Sequence, residues 1–349
     1  MHKRFLLAAL DQAQLGRGIC APNPSVGAVA VKNNTIVAQA WHHGAGTPHA
    51  EQLLLEQIGP QSAEITLYVT LEPCNHWGKT PPCVDAIIKA GIQHVVYAYA
   101  DPNPIVASNQ TPDLLKKHGI EVTHYPLHEI EQFYESYRHW ILTKKPWVTA
   151  KIAQTFDGKI AGEEGKRVQL SNQICSYFTH TQRLHTDVIL TTARTINQDD
   201  PLCNARVMGE TTAKPLAILD TQLTLNPEAK IFKTAAHCHI YYDETLSPQT
   251  EKKNCTYHGL PVTKNHVDLH AMICHLGCLG YHDVWVEAGG ELFSALHQAG
   301  LVNRSYIYLV PRVLGVLGVS AYQQDGLLQN PRKVSWQAMD DNMIAVLDW

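Results

Sequence analysis

The chain has 349 residues, about twice the roughly 100–200 of a typical domain, so two domains, each with its own core, are expected. With 45% hydrophobic and 17% charged residues and no apolar run near the roughly 18 needed to span a bilayer, the composition excludes disorder and a membrane-spanning helix and predicts a soluble globular protein. A formal net charge of −4 without a long lysine and arginine run argues against nucleic acid or membrane as partner and for a free small molecule as substrate.

The opening MHKRFLLAALDQAQ pairs a basic start with apolar residues, but Asp11 and Gln12 interrupt it too early for a signal peptide. Phe5, Leu6, Ala9, Leu10 and Ala13 fall on one helical face, so residues 4–15 predict an amphipathic helix, ended by Gly16 and Gly18. Nine cysteines, an odd number behind no export signal, point to a reducing compartment, the cytoplasm. Residues 26–31 (VGAVAV) and 35–41 (TIVAQAW) flank Lys32, Asn33 and Asn34 and predict a β-hairpin whose turn tolerates positive φ. A helix over 49–58, a strand over 65–70, a helix over 82–90 closed by Gly91 and a strand through HVVYAYA follow. That alternation predicts a three-layer α/β/α sheet.

Within this layout stand His49 and Glu51, in HAE (49–51), and Cys74 and Cys83, in PCNHWGKTPPC (73–83). One imidazole and two thiolates form a catalytic set for Zn2+: a structural zinc normally has a fourth protein ligand, whereas three leave a position for water that the metal acidifies. Glu51 is close enough to move a proton between that water and a substrate nitrogen without binding metal, the arrangement of zinc-dependent deaminases. His49 follows Pro48 and Cys83 follows Pro82, each at a predicted helix start, where free amides and the helix dipole stabilise thiolate. HAE alone would read as an exposed helix start; the two Pro-Cys pairs turn it into a metal site. Asn23, in a proline-bracketed loop, is a rigid amide suited to a polar heterocycle, or an ordinary turn residue. Gly78, Lys79 and Thr80 could cradle a phosphate or form a surface turn, and His42 could simply pack at a strand end.

Residues 126–143 predict one mixed helix, broken by Lys144, Lys145 and Pro146, which sets domains at 1–145 and 146–349. The second opens with the strand WVTAKIA and a turn at Phe156, Asp157 and Gly158. Strands are expected near 187–192, 215–220, 238–242, 283–287 and 305–310, making a second α/β unit. No GxGxxG follows its first strand, so a Rossmann-type dinucleotide site is not indicated. His237 and His239 share one strand face with Cys238 opposite, and Cys274, His275 and Cys278 lie at helical spacing without a second ligand pair; both clusters read as packing.

Eight residues separate Cys74 from Cys83, where most deaminases of this group carry PCxxC. With PNPSVG (22–27) and DPNP (101–104), the chain resembles the bifunctional riboflavin-biosynthesis deaminase/reductase family along essentially its whole length. The resemblance implies an α/β fold, with an N-terminal cytidine-deaminase-like α/β/α domain followed by a dihydrofolate-reductase-like α/β domain that uses NADPH. It implies hydrolytic loss of the 2-amino group of a phosphorylated diaminopyrimidine, then reduction of the ribosyl arm to ribityl. Glu51 would be catalytic, His49, Cys74 and Cys83 would hold Zn2+, and Asn23, His42, His76, Lys79 and Thr80 would contact the pyrimidine or its phosphate arm. KIAQTFDGK (151–159), TTARTINQDDPLCNAR (191–206) and VEAGGELF (286–293) resemble the reductase's cofactor and substrate segments. There Arg183 and Arg206 would clamp the phosphate, and Lys151, Cys203 and Glu287 would hold the rest of the substrate. Gln154, Gln169, Thr195, Asp199, Gly289 and Gly290 would line the cofactor. Guanidinium forks suit a phosphate, and bare amides at a glycine pair suit a pyrophosphate.

The chain also departs from the family pattern. Gln169 stands where a tryptophan is usual, Arg194 is expected in a turn before Thr195 where small residues are usual, and Gln154 replaces a small apolar residue. Ala107, Ser108, Asn109 and Gln110 take the place of a glycine-rich loop. An active deaminase with a degenerate reductase half, a zinc deaminase of nucleosides or tRNA, and a non-catalytic scaffold are therefore the alternatives. A homo-oligomer is the expected assembly.

Overall fold

The computed structural model describes residues 1–59, 64–77, 81–107, 110–248, 252–322 and 326–349, and the chain divides into two units, Met1–Lys144 and Lys145–Trp349. In the first, the opening helix His2–Gly16 buries Phe5, Leu6, Ala9, Leu10 and Ala13, the face its periodicity predicts. It lies hard against the strand Gly27–Lys32 because Gly27 has no side chain: a Cβ there would sit 2.0 Å from the Ala9 carbonyl oxygen. The five-stranded sheet runs Thr35–Trp41, Gly27–Lys32, Thr66–Leu71, His94–Tyr99 and Glu121–His124 from edge to edge. Its first two pairings are antiparallel and its last two parallel. Asn33 and Asn34 turn the hairpin at φ of 49° and 65°.

Side-chain alternation along these strands builds two cores. Ala28, Ala30, Leu67, Val69 and Val95 meet Leu54, Val84 and Ile87 of the helices Ala50–Ile58 and Cys83–Ala90 on one face. Val29, Val31, Tyr68 and Val96 meet Phe5, Leu6, Ile130 and Tyr137 on the other, which gives three layers. The single helix expected over 126–143 is two, His128–Phe133 and Glu135–Thr143. Tyr134 between them leaves helical geometry, at φ −91° and ψ 7°. Its buried hydroxyl lies 2.7 Å from Thr70 Oγ1 and donates to Ser25 O at 2.9 Å, and these long-range bonds outrank local propensity.

The sheet of the second unit runs Cys255–Leu260, His237–Asp243, Pro215–Leu219, Val188–Thr192, Asp283–Glu287, Trp147–Thr155, Arg304–Val310, Asn342–Asp348 and Lys333–Met339. Neighbours are parallel as far as Arg304–Val310, and the last two strands fold back antiparallel. Parallel strands covered on both faces need apolar runs, which VILTT and PLAIL supply. Met272, Leu276, Phe293 and Leu296 pack on Val148, Leu190 and Val286 on one face, and Ile196 and Ile231 pack on Ile189, Ile218 and Trp285 on the other. The strand Cys255–Leu260 and the C-terminal antiparallel pair lie outside the expected set. Among the described residues no helix is long and apolar enough to cross a membrane.

Candidate active sites

The parallel strands Thr66–Leu71 and His94–Tyr99 end side by side, and the loops beyond them carry Glu72, Cys74 and Asp101 into a crevice of the kind that forms outside the carboxyl ends of such strands. His49 is the N-cap of Ala50–Ile58, and Cys83 opens Cys83–Ala90. The Gln52 side chain accepts from the His49 amide at 3.3 Å and fixes the first helix start. Cys74 is held against the second: its carbonyl accepts from Val84 N at 3.2 Å and its Sγ from Cys83 N at 3.3 Å. His49 Nδ1 lies 3.1 Å from Cys83 Sγ and 3.4 Å from Cys74 Sγ. Zinc bonds of about 2.0 Å to nitrogen and about 2.3 Å to sulfur, set tetrahedrally, place such atoms about 3.5 Å apart, so this donor set fits that ion. No other such cluster of three potential ligands forms among the described residues, those around Cys238 and Cys274 included.

Electrostatics single out the same atoms. A hydrogen bond from Cys83, helped by His49, pushes the Cys74 thiol down to about 4, while that bond and burial push Cys83 well up. A divalent cation bound there would draw the remaining thiol proton off the pair. Glu51, in the first turn behind His49, is 3% exposed, and burial pushes its carboxyl up to about 7 against the pull of His49. A carboxyl balanced there both accepts and donates protons near neutrality.

These groups open into a pocket of about 440 Å³, also lined by Asn23, His42 and His76. His42 Nδ1 sits 3.1 Å from Pro48 O and donates to it, which leaves Nε2 to accept from the Asn23 amide at 3.0 Å. Burial lowers the His42 pKa and keeps the ring neutral. His76 buries its Nδ1 without a hydrogen-bond partner, an atom that a ligand could satisfy. Lys79 and Thr80 lie outside the described residues. Sequence reasoning missed Glu72, Asp101, Asn103, Tyr137 and Trp140, which complete the walls. Asp101 accepts from Tyr137 Oη at 3.2 Å and Asn103 N at 2.9 Å, and burial pushes it up to about 6. The DPNP motif marked this loop without showing what its aspartate faces.

In the second unit a strand end again carries a charged site residue. Glu287 closes Asp283–Glu287, in register with Lys151 on the neighbouring strand. Arg183 grips both Glu287 oxygens, at 2.6 and 2.7 Å, and donates to Asn204 O at 3.0 Å. Trp285 Nε1 adds a bond of 2.7 Å to the same carboxylate. Burial alone would raise the Glu287 pKa, but Arg183 and then Lys151 hold it down at about 2. Arg183 is thus committed to Glu287, whereas Arg206 is exposed, with Nη1 on Asn204 Oδ1 at 3.1 Å. Cys203 is buried, at φ 47°.

Two of the expected cofactor residues, Asp199 and Gln169, line different pockets. Asp199 lies with Lys166, Arg167 and Gln198, and Gln169 lies with Asn172, Arg312 and Asp341. Thr195 donates its amide to Thr192 Oγ1 at 3.1 Å, which caps the helix Ala193–Asp199. Arg194, expected in a turn, belongs to that helix and reaches out to Glu291 at 3.2 Å. Gly289 precedes the helix Gly290–Gln298 with open space where a side chain would project. Gly290 is required for packing, because a Cβ there would lie 2.2 Å from Ala321 O. Gln154 buries an unpartnered Oε1. Bare amides at an open helix start and an unsatisfied buried acceptor fit a polar cofactor such as NADPH.

Residues 1–99 match the cytidine and deoxycytidylate deaminase zinc-binding region, and residues 146–345 match the RibD C-terminal domain. The riboflavin biosynthesis protein RibD of Escherichia coli K12 is 34% identical, over 89% of this chain and 88% of its own. That of Aquifex aeolicus is 33% identical, over 90% and 88%. The chain belongs to the RibD family. It is accordingly a bifunctional enzyme of riboflavin biosynthesis, with a zinc deaminase domain ahead of an NADPH-dependent reductase domain. RibD of Acinetobacter baumannii superposes with a TM-score of 0.86 at 28% identity, covering 99% of this chain and 98% of that one. The deaminase/reductase of Thermotoga maritima gives 0.87 at 28% identity over the same shares.

Proposed function

We propose that the first unit hydrolyses the 2-amino group from 2,5-diamino-6-(5-phosphoribosylamino)pyrimidin-4(3H)-one and that the second reduces the ribosyl arm of the product to ribityl. The Thermotoga maritima relative is described as a diaminohydroxyphosphoribosylaminopyrimidine deaminase and 5-amino-6-(5-phosphoribosylamino)uracil reductase. The observation that carries the reading is the buried carboxyl of Glu51 in one pocket with His49 and Cys74, whose ligand atoms gather with Cys83 Sγ. Zinc on His49, Cys74 and Cys83 supplies the Lewis acidity that makes water nucleophilic near neutral pH. Glu51 takes a proton from the attacking water and delivers one to the departing nitrogen, so water enters and ammonia leaves. Asn23, oriented by His42, and the free Nδ1 of His76 fix the ring, and Glu72 and Asp101 offer acceptors to its amino groups.

In the second unit NADPH supplies the hydride. Lys151, set against Glu287, holds the oxygens of the arm, and the exposed Arg206 takes the phosphate. Arg183 acts through Glu287, as a positioning residue. An idle reductase half is the second reading, favoured by Gln169, whose exposed side chain folds back to donate to Ser171 O at 3.1 Å and gives no aromatic platform.

The reading extends to a cytoplasmic homo-oligomer. None of the nine cysteines is in a disulfide, and the odd number in the sequence suits a reducing compartment. Exposed Val313, Val316 and Leu317, and Trp336 on the edge strand, supply apolar surface for self-association, which light scattering would reveal. The deciding assay supplies the substrate to zinc-loaded protein, follows ammonia, then adds NADPH and follows its oxidation, with Glu51→Ala as control. Ammonia lost in the mutant, followed by oxidation in the wild type, is expected. Ammonia without oxidation would establish the second reading, and no ammonia would overturn the first.

A further inference from the structure

We propose that Lys144 anchors the phosphate of the deaminase substrate at the mouth of the first pocket, an inference that rests on the substrate class just proposed. The helix Glu135–Thr143 forms one pocket wall, and Tyr137, Trp140, Ile141 and Lys144 follow one another along it at helical spacing. The line runs from a buried end to an exposed one. Tyr137 is 5% exposed, with its hydroxyl on Asp101 deep in the pocket, Trp140 is half-buried, and Lys144 is exposed. At a rise of ~1.5 Å per residue, that line covers about 10 Å, a length suited to a ribosyl phosphate whose base lies beside Glu51.

Charge points the same way. Glu51, Glu72 and Asp101 ring the inner part of the pocket and would repel a phosphate dianion, and Lys144 is the sole lysine or arginine among its described lining residues. The ammonium is already directed: Nζ lies 5.0 Å from the centre of the Trp140 ring, another wall residue of the pocket. Lys144 also closes the helix at φ 59°, with its amide on Trp140 O at 2.8 Å, but that contact is made by backbone and does not use the ammonium. The ammonium therefore has a use that capping does not explain. Lys79, which the family resemblance also directs to the phosphate arm, lies outside the described residues.

The test compares ammonia release from the phosphorylated substrate and from the same compound without its phosphate, in wild type, Lys144→Gln and Lys144→Arg. One lost charge-assisted contact is expected to raise KM for the phosphorylated compound about tenfold in Lys144→Gln, with kcat little altered. The preference for the phosphorylated compound in kcat/KM should fall by the same factor and return in Lys144→Arg. An equal change on both substrates, or none, overturns the proposal. Binding of ribose 5-phosphate against ribose, read from tryptophan fluorescence, supplies a readout independent of turnover. Wild type that binds ribose 5-phosphate through Lys144 but releases no ammonia would sink the substrate reading while the phosphate site stands. Binding indifferent to Lys144 would sink the site alone.

Discussion

Arg183 and Glu287 show what a charged pair does when its members are mostly withdrawn from water. Their forked contact, with side chains only 14% and 18% exposed, leaves either partner stranded if the other is removed. Arg183→Gln is expected to cost roughly 3 kcal/mol in urea unfolding and to abolish NADPH oxidation while ammonia release continues; unchanged unfolding would show that solvent reaches Glu287 freely. At this scale the sequence was informative where chemistry is local. His49, Glu51, Cys74 and Cys83 could be read because helix starts and proline pairs bring them together by short-range rules. Asp101 and Glu72 could not, since their position follows from two parallel strands ending side by side. The commitment of Arg183 to Glu287 was equally hidden, because the partners lie 104 residues apart and only folding measures that distance.

Among the elements, glycine pairs divide their work. Gly290 lets the start of Gly290–Gln298 approach Ala321, whereas Gly289, at φ −70°, faces open space. Gly290→Ala should therefore destabilise the second unit by about 1–3 kcal/mol. Gly289→Ala should leave the melting temperature in place and weaken NADPH binding measured by nucleotide fluorescence, since only a bound cofactor would meet the new methyl. Equal effects from both substitutions would refute this division. Most helices and parallel strands were legible because apolar periodicity reports a buried face directly. Lys333–Met339 was not, because its residues are largely exposed and its register is set by Asn342–Asp348 rather than by any pattern of its own. The break at Tyr134 escaped for a related reason: its cause lies at Ser25 and Thr70, on other elements.

For the molecule as a whole, acid should act through a cluster of histidines in the second unit. His239 Nδ1 meets His258 Nε2 at 3.1 Å, and the rings of His258 and His275 are 4.4 Å apart. Burial, and then repulsion among these rings and His237, lower His239 and His258 to about 4. Their folded values lie below the ordinary 6.5, so the unfolded chain takes up protons that the fold refuses. Stability contributed by the neutral rings is thus complete above pH 6.5 and lost as pH falls toward 4. The melting temperature of the second unit should fall between pH 7 and pH 5, by less in His258→Gln; a drop of the same size in the variant would remove the histidines from the account. The two units also share one peptide thread, with only residues 144–146 between the end of Glu135–Thr143 and the start of Trp147–Thr155. Every round of translation therefore delivers both catalysts in a one-to-one ratio. Gene dosage and promoter strength scale the two steps together, and only the turnover numbers themselves can decide which step throttles the flux.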